Sequence, residues 1–284
     1  MRKESLDMPI SKIILGLVAV IAGVVAVGWL GTRVKPDSFE VSVMQSRDYG
    51  QVERPTDLPA PVARYVVAAF GAEMPIIESA LTVGQADLTF MGVTFPARFK
   101  FYYDAGDAYY HFIQLTWFGQ PIITVNEQYK DGVAILDLPG NLVENEEKNN
   151  SAANLGLWAE SIWLPSVFFT DERVRWEPID DMTARFIISG NTDQSEELTV
   201  YFDPQTGLIT KMTAMRYQDA NATDRTLWTN HIVEWRDVDG VTLPAVAETQ
   251  WGDDAPWAIW RVESVLYNVD VSGRLAQFGG DHKD

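Results

Sequence analysis

Cysteine is absent from the 284 residues. That excludes disulfides, thiolate metal sites, cysteine nucleophiles and the lipidated cysteine of a bacterial lipoprotein. It does not fix the compartment, since an exported protein need not carry a disulfide. Basic residues are scarce, with 22 Lys and Arg against 40 Asp and Glu and a formal net charge of −18. Past residue 36 the balance is 17 against 38, a net −21. Phosphate backbones and anionic headgroups repel such a domain, which disfavours nucleic acid as a partner. Histidine is limited to His111, His231 and His282, and none belongs to a metal-spaced pair. No Gly-x-Ser-x-Gly elbow, phosphate-binding glycine loop or nucleotide fingerprint occurs. These absences point away from an enzyme, a metal site and a bound cofactor. Long apolar runs are also missing, apart from two.

The first run is residues 13–30, from Ile13 to Leu30, 18 residues without a charge between Lys12 and Arg33. At about 1.5 Å per residue it just reaches across a hydrocarbon core of roughly 30 Å. Trp29 falls where an interfacial ring is favoured, and Ala19, Ala22, Gly23 and Ala26 give small-residue spacings that suit another helix. Ala26-Val27-Gly28 resembles a signal-peptide cleavage site, but the run exceeds the roughly 7–15 residues of a signal core. An uncleaved, single-pass anchor over residues 13–32 is expected. Arg2, Lys3 and Lys12 precede it and Arg33 and Lys35 follow it, a lean towards an inner N-terminus and an extracytoplasmic, periplasmic main domain at the cytoplasmic membrane. Residues 1–12 form a short leading segment and residues 33–57, with Pro36 and Pro55, read as a stalk.

The second run is residues 154–169, NLGLWAESIWLPSVFF. Leu155, Trp158, Ala159, Ile162 and Trp163 recur at helical spacing, and Pro165 ends the pattern. The spacing predicts a helix over about residues 152–164 with one buried face. An earlier helix is predicted from Pro59 and Pro61 to Gly71, with Asp57 as cap and Val62, Tyr65, Val66, Ala69 and Phe70 buried. Nearly everything else has a period of two. Phe99, Phe101 and Tyr103 alternate with Arg98 and Lys100, and turns such as Met91-Gly92, Phe118-Gly119, Asp131-Gly132 and Asp239-Gly240 recur about every ten residues. About eleven antiparallel strands follow, five or so before the central helix and six or so after it. This is an α+β pattern over residues 58–271, with a polar tail at 272–284. Several strands are apolar on both faces, as at Leu227, Trp228, Ile232 and Val233. Either protein covers both faces, or the concave one holds something apolar.

Two stretches, LTVYFDPQTGLITKMTA and EWRDVDGVTLPAVAE, together with the helix between two strand-rich halves, resemble the LolA-like half-barrel superfamily of lipoprotein carriers. LPAPVARYV, AESIWLPSVFF followed by VRWEPIDDMTARF, and DGVTLPAVAETQW are similar to an uncharacterised bacterial family of unknown function. The resemblance spans most of residues 58–269. It implies a curved antiparallel sheet with the helix on its concave side and, by analogy, an apolar groove. It brings no catalytic residues.

Trp117, Trp158, Ile162, Trp163, Trp228, Trp235 and Trp260 are the expected groove lining. Glu160, between Trp158 and Trp163, is expected to be partly buried and held in a structural ion pair by Arg64, Arg175 or Arg185. Asp180, Asp181 and Asp203 read as turn residues, and His111 and His231 as packed or surface histidines. Three functions follow. The foremost is a membrane-anchored protein that binds a lipid, a lipidated protein or another apolar ligand. The second is an accessory or scaffold subunit that meets a membrane-protein partner and holds no ligand. The third is a hydrolase using Glu160 or the Asp180-Asp181 pair.

Overall fold

The computed structural model describes residues 10–41, 44–189 and 196–276, with residues 10–14 and 16 described by their backbone alone. The chain opens with helix α1 (Ile10–Gly31), whose side chains from Leu15 to Leu30 stand largely in the open. Among the described residues no helix is long and apolar enough to cross a membrane. Ile13 and Ile14, part of the expected span, and residues 1–9 lie outside the described side chains. A two-stranded ladder of β1 (Gln51–Val52) and β2 (Met74–Pro75) flanks α2 (Ala60–Phe70). The five apolar residues predicted for α2 are all buried. Its cap, however, is Pro59 and not Asp57, because the helix starts two residues later, with Pro61 in its first turn.

Among the described residues one antiparallel sheet holds thirteen strands. The first meander comprises β3 (Ser79–Phe90), β4 (Val93–Asp104), β5 (Ala108–Trp117), β6 (Gln120–Lys130), β7 (Val133–Leu138) and β8 (Asn141–Glu144). The second comprises β9 (Val174–Pro178), β10 (Thr183–Ile188), β11 (Glu196–Phe202), β12 (Ile209–Arg216), β13 (Thr226–Val238), β14 (Val241–Trp251) and β15 (Ala258–Tyr267). The count exceeds the expected eleven; β8, four residues with only Leu142 and Val143 apolar, carries too little alternation to announce itself. Neighbours follow chain order everywhere except at one seam, where β3 pairs with β15. Gly84 closes that seam, since a Cβ there would stand 2.1 Å from the Arg261 carbonyl oxygen.

This topology dictates where the middle of the chain goes. β8 and β9 are consecutive strands at opposite edges of the sheet, so the segment between them must cross its open side. That segment is α3 (Glu147–Glu160), a 3-10 turn (Ser161–Trp163) and α4 (Val167–Thr170). α3 touches β6 and β7 on one side and β11 and β12 on the other, and the 3-10 turn reaches β14. The helix is therefore buried on all sides over its second half, from Ala152 to Ala159, rather than along one stripe. It gives way to the 3-10 turn after Glu160, before Pro165 can act. Asn154 donates to Glu196 Oε2 at 2.6 Å and accepts from the Tyr129 hydroxyl at 3.2 Å. Trp163 Nε1 donates to the Pro244 carbonyl at 3.2 Å, and the Tyr267 hydroxyl donates to the Trp163 carbonyl at 2.9 Å.

The segment read as a stalk lies against the outer face of the sheet. Gln85 donates to the Pro36 carbonyl at 3.0 Å, Arg98 to Asp37 at 3.1 Å and Lys100 to Glu40 at 3.1 Å. Phe39, Val41 and Met44 join Leu81, Val83 and Tyr102 in a second, outer core. α5 (Ser272–Leu275) closes the same core with Leu275, and Gln128 donates to its carbonyl at 2.7 Å. The start of the expected polar tail is thus docked; residues 277–284 lie outside those described.

Candidate functional site

A cavity of about 110 Å³ lies between the sheet and the α3 to 3-10 segment. Phe101, Ile113, Ile162, Trp163, Met212, Ile232, Trp257 and Trp260 give it an apolar wall, and Gly156 leaves space on the helix side. The inward alternation of β4 and β5 places Phe101 and His111 directly opposite each other, with ring centroids 4.0 Å apart. Tyr109, two residues before His111 on the same face, stacks on the imidazole at 4.1 Å and 13°.

The polar end of the cavity is built on His111. Its cross-strand partner on β6 is Glu127, whose Oε2 stands 3.7 Å from Nδ1. On the other side Glu160, at the last position of α3, brings its Oε2 to 2.9 Å from Nε2. The Nε2–H is not aligned with that oxygen, so this contact is an ion pair by distance more than a directed hydrogen bond. Each carboxylate also takes a tyrosine hydroxyl, Glu160 from Tyr103 at 2.9 Å and Glu127 from Tyr109 at 2.5 Å. His111 is almost completely buried, while Glu127 and Glu160 keep about a quarter of their side chains accessible, towards the cavity they line.

Burial opposes a charge on His111, but the two carboxylates, Glu160 foremost, outweigh it and raise the imidazole to about 9. Burial likewise opposes a charge on Glu127, and the hydrogen bond and charge of His111 overcome it, lowering this carboxyl to about 2. Burial first, then the adjacent carboxylates, push Tyr103 and Tyr109 well above the usual phenol range, so both remain donors. Arg216 completes the set from the end of β12, its guanidinium 4.6 Å over the Trp228 ring. His111 and Arg216 thus line the same cavity as Glu127 and Glu160. Thr249 donates to Asn230 at 2.8 Å and accepts from Trp260 Nε1 at 3.1 Å. The buried polar atoms of the lining that lack a hydrogen-bond partner are all N–H groups: His111 Nε2, Arg216 Nε, Trp228 Nε1 and Trp257 Nε1. Among the described residues no three His, Asp or Glu side chains converge as metal ligands.

Of the expected lining, Ile162, Trp163, Trp228 and Trp260 reach the cavity. Trp117 does not: it sits on the β5–β6 turn and donates to the Gly28 carbonyl at 3.0 Å. Trp158 is buried elsewhere, against Phe186 at 5.8 Å, and Trp235 packs on Tyr65 at 6.3 Å. The partners expected for Glu160 are also wrong. Arg64 donates to the Asp181 carbonyl, Arg175 pairs with Glu177, and Arg185 with Glu177 and Glu197. These arginines lie on outward or edge positions, whereas Glu160 faces inward, where a histidine is the available cation. Glu127, Tyr109 and Arg216 went unread. Pairing β5 with β6 about the Phe118-Gly119 turn sets Asn126 opposite His111; the register shift between Leu115 and Thr116 brings Glu127 there instead, and a local pattern does not announce that shift.

A family model described as a family of unknown function, DUF6544, matches residues 50–262. No curated protein matches the chain. Among solved structures it is similar to a DUF1329 family protein from Desulfovibrio piger, with 11% identity, a TM-score of 0.43 and coverage of 75% of this chain and 95% of that one. It is also similar to a LolA superfamily protein from Nitrosomonas europaea, with 11% identity, a TM-score of 0.45 and coverage of 77% and 97%. The resemblance read from the motifs to a family of unknown function is met by that family model.

Proposed function

This chain belongs to DUF6544, a family of unknown function, and from there we propose that it is a membrane-anchored, extracytoplasmic protein that binds a lipid-like amphiphile inside its half-barrel. The observation that carries this reading is the interior cavity itself, aromatic along its walls and charge-balanced at one end. The unpartnered N–H groups of Arg216, Trp228 and Trp257 favour a ligand that brings an acceptor oxygen. At about 110 Å³ the cavity is smaller than the engineered cavity of about 150 Å³ that admits benzene. A whole acyl chain therefore enters only if Ile162 and Trp163 on the 3-10 turn move aside. A break from α-helix to 3-10 geometry beside the cavity is a natural place for that movement.

The anchor reading rests on the charge-free run from Ile13 to Leu30 in the sequence and on the exposure of the side chains from Leu17 to Leu30. Binding is favoured over turnover because both nitrogens of His111 face carboxylates, and among the described residues no serine or threonine hydroxyl is bonded to it. One observation favours the accessory-subunit reading, the small size of the cavity. A titration separates the two. A fluorescent fatty-acid analogue added to the detergent-solubilised full chain is expected to take up energy from the cavity tryptophans saturably, and to lose that signal in Gly156→Leu, which fills the cavity from the helix side. No saturation, or saturation unchanged by Gly156→Leu, overturns the ligand reading.

A further inference from the structure

The two most exposed large apolar side chains of the domain, Met91 and Phe90, belong to a group at one end of the sheet, while Val67, Ile179, Met182 and Val233 stand exposed elsewhere. The β3–β4 turn presents Phe90, Met91 and Val93, with Met91 88% exposed. The β5–β6 turn presents Trp117, Phe118 and, just beyond, Ile122. Antiparallel pairing puts both turns at the same end, two strand spacings or about 10 Å apart. α1 leaves from that end. Phe118 N–H donates to the Gly31 carbonyl at 2.8 Å and Trp117 Nε1 to Gly28 at 3.0 Å. The indole lies so close that a Cβ on Gly31 would stand 1.9 Å from Trp117 Nε1. The exposed apolar surface of α1 thus runs without a break, through Trp29 and Leu30, onto the turns.

We propose that this end of the half-barrel is seated in a lipid bilayer, with Phe90, Met91, Val93, Phe118 and Ile122 immersed at its interface. The occupant is lipid because the apolar patch continues the apolar helix, and because Trp29 and Arg33 stack at the junction, 4.7 Å apart, as interfacial residues do. Charge sets the lipid type and the tilt. The turns of the other half at the same end carry Asp219, Asp224, Asp253 and Asp254, which anionic headgroups would repel. The seat is therefore on zwitterionic lipid and lies under the first meander. One residue of the cavity wall reaches the same end of the molecule. Thr89 N–H donates to the carbonyl of Trp257, a cavity-wall residue, at 2.7 Å, directly behind the Met91 turn.

The inference rests on the anchor reading only for α1, and the two are separated by experiment. Because the chain has no cysteine, single cysteines can be placed at Met91, Phe118, Asp131 on the opposite end, and Val25 within α1. Each full-length variant, carrying a polarity-sensitive fluorophore, is reconstituted in phosphatidylcholine vesicles with and without brominated lipid. Labels at 91 and 118 are expected to shift to the blue and be quenched by bromine, the label at 131 to do neither, and added phosphatidylglycerol to weaken the effect at 91 and 118. Labels at 91 and 118 that behave like 131 overturn the seat, and a quenched label at 25 in that case leaves the anchor standing. Quenching at 91 and 118 without quenching at 25 upholds the seat and removes the anchor.

Discussion

His111 is the residue on which the interior depends. Its ring is stacked between Phe101 and Tyr109, and its charge is shared by Glu127 and Glu160. The linkage signs differ for the two kinds of group. His111 is raised from 6.5 to about 9, so its contribution to stability is complete below 6.5 and is lost as pH rises through about 9. Glu127 is lowered from 4.5 to about 2, so its contribution is complete above 4.5 and is lost as pH falls through about 2. Thermal melts are expected to show the cluster's full support only between about pH 4.5 and 6.5, with a decline between 6.5 and 9 that His111→Gln removes. Glu160→Gln takes away the foremost charge that holds the imidazolium. The His111 pKa, followed by NMR, is expected to fall, and stability at pH 6 to drop by about 3 kcal/mol; an unmoved imidazole would show that Glu127 alone sets it.

At the scale of elements, the crossing segment and the seam carry the fold. Gly156 sits in the middle of α3 with open space on its cavity side, its nearest neighbour being Arg216 Nη2 at 3.9 Å from where a Cβ would be. Gly156→Ala is therefore expected to stabilise the protein by about 1 kcal/mol through helix propensity alone, read from urea unfolding. Gly84→Ala should do the opposite. Its Cβ would meet backbone, which cannot rotate away, and a loss of about 3 kcal/mol is expected as β3 and β15 are forced apart. The elements themselves were legible in the sequence, because alternation at Phe99, Phe101 and Tyr103 and the breaks at Met91-Gly92 and Asp131-Gly132 are local signals. β8 was not, being four residues long. The character of α3 was half legible. Its Leu155, Trp158 and Ile162 stripe marks a helix, but burial on every side follows from its place between two sheet edges, which no local period records.

For the whole molecule, the non-local facts decided what could be read. The antiparallel α+β pattern and its central helix followed from strands on both sides of one helical run, whereas the curved half-barrel was what the resemblance implied. The seam between β3 and β15 joins residues as far apart as Ala80 and Tyr267, so the inward-facing set could not be assembled from sequence. That is why Trp228 and Trp260 reach the cavity while Trp117, Trp158 and Trp235 lie elsewhere: aromatic content marks a core but not which side of it. Glu160 was recognised as a buried charge in need of a partner, yet the partner is brought in by β5. The central claim is that the interior holds a lipid-like molecule under α3 and the 3-10 turn. Native mass spectrometry of the full-length protein, released from membranes in a mild detergent, tests it most directly. Expected is a population heavier by one molecule of lipid mass, identified by extraction, and missing from Gly156→Leu prepared in the same way. Wild-type protein that flies at its bare mass, with nothing extractable, would contradict it.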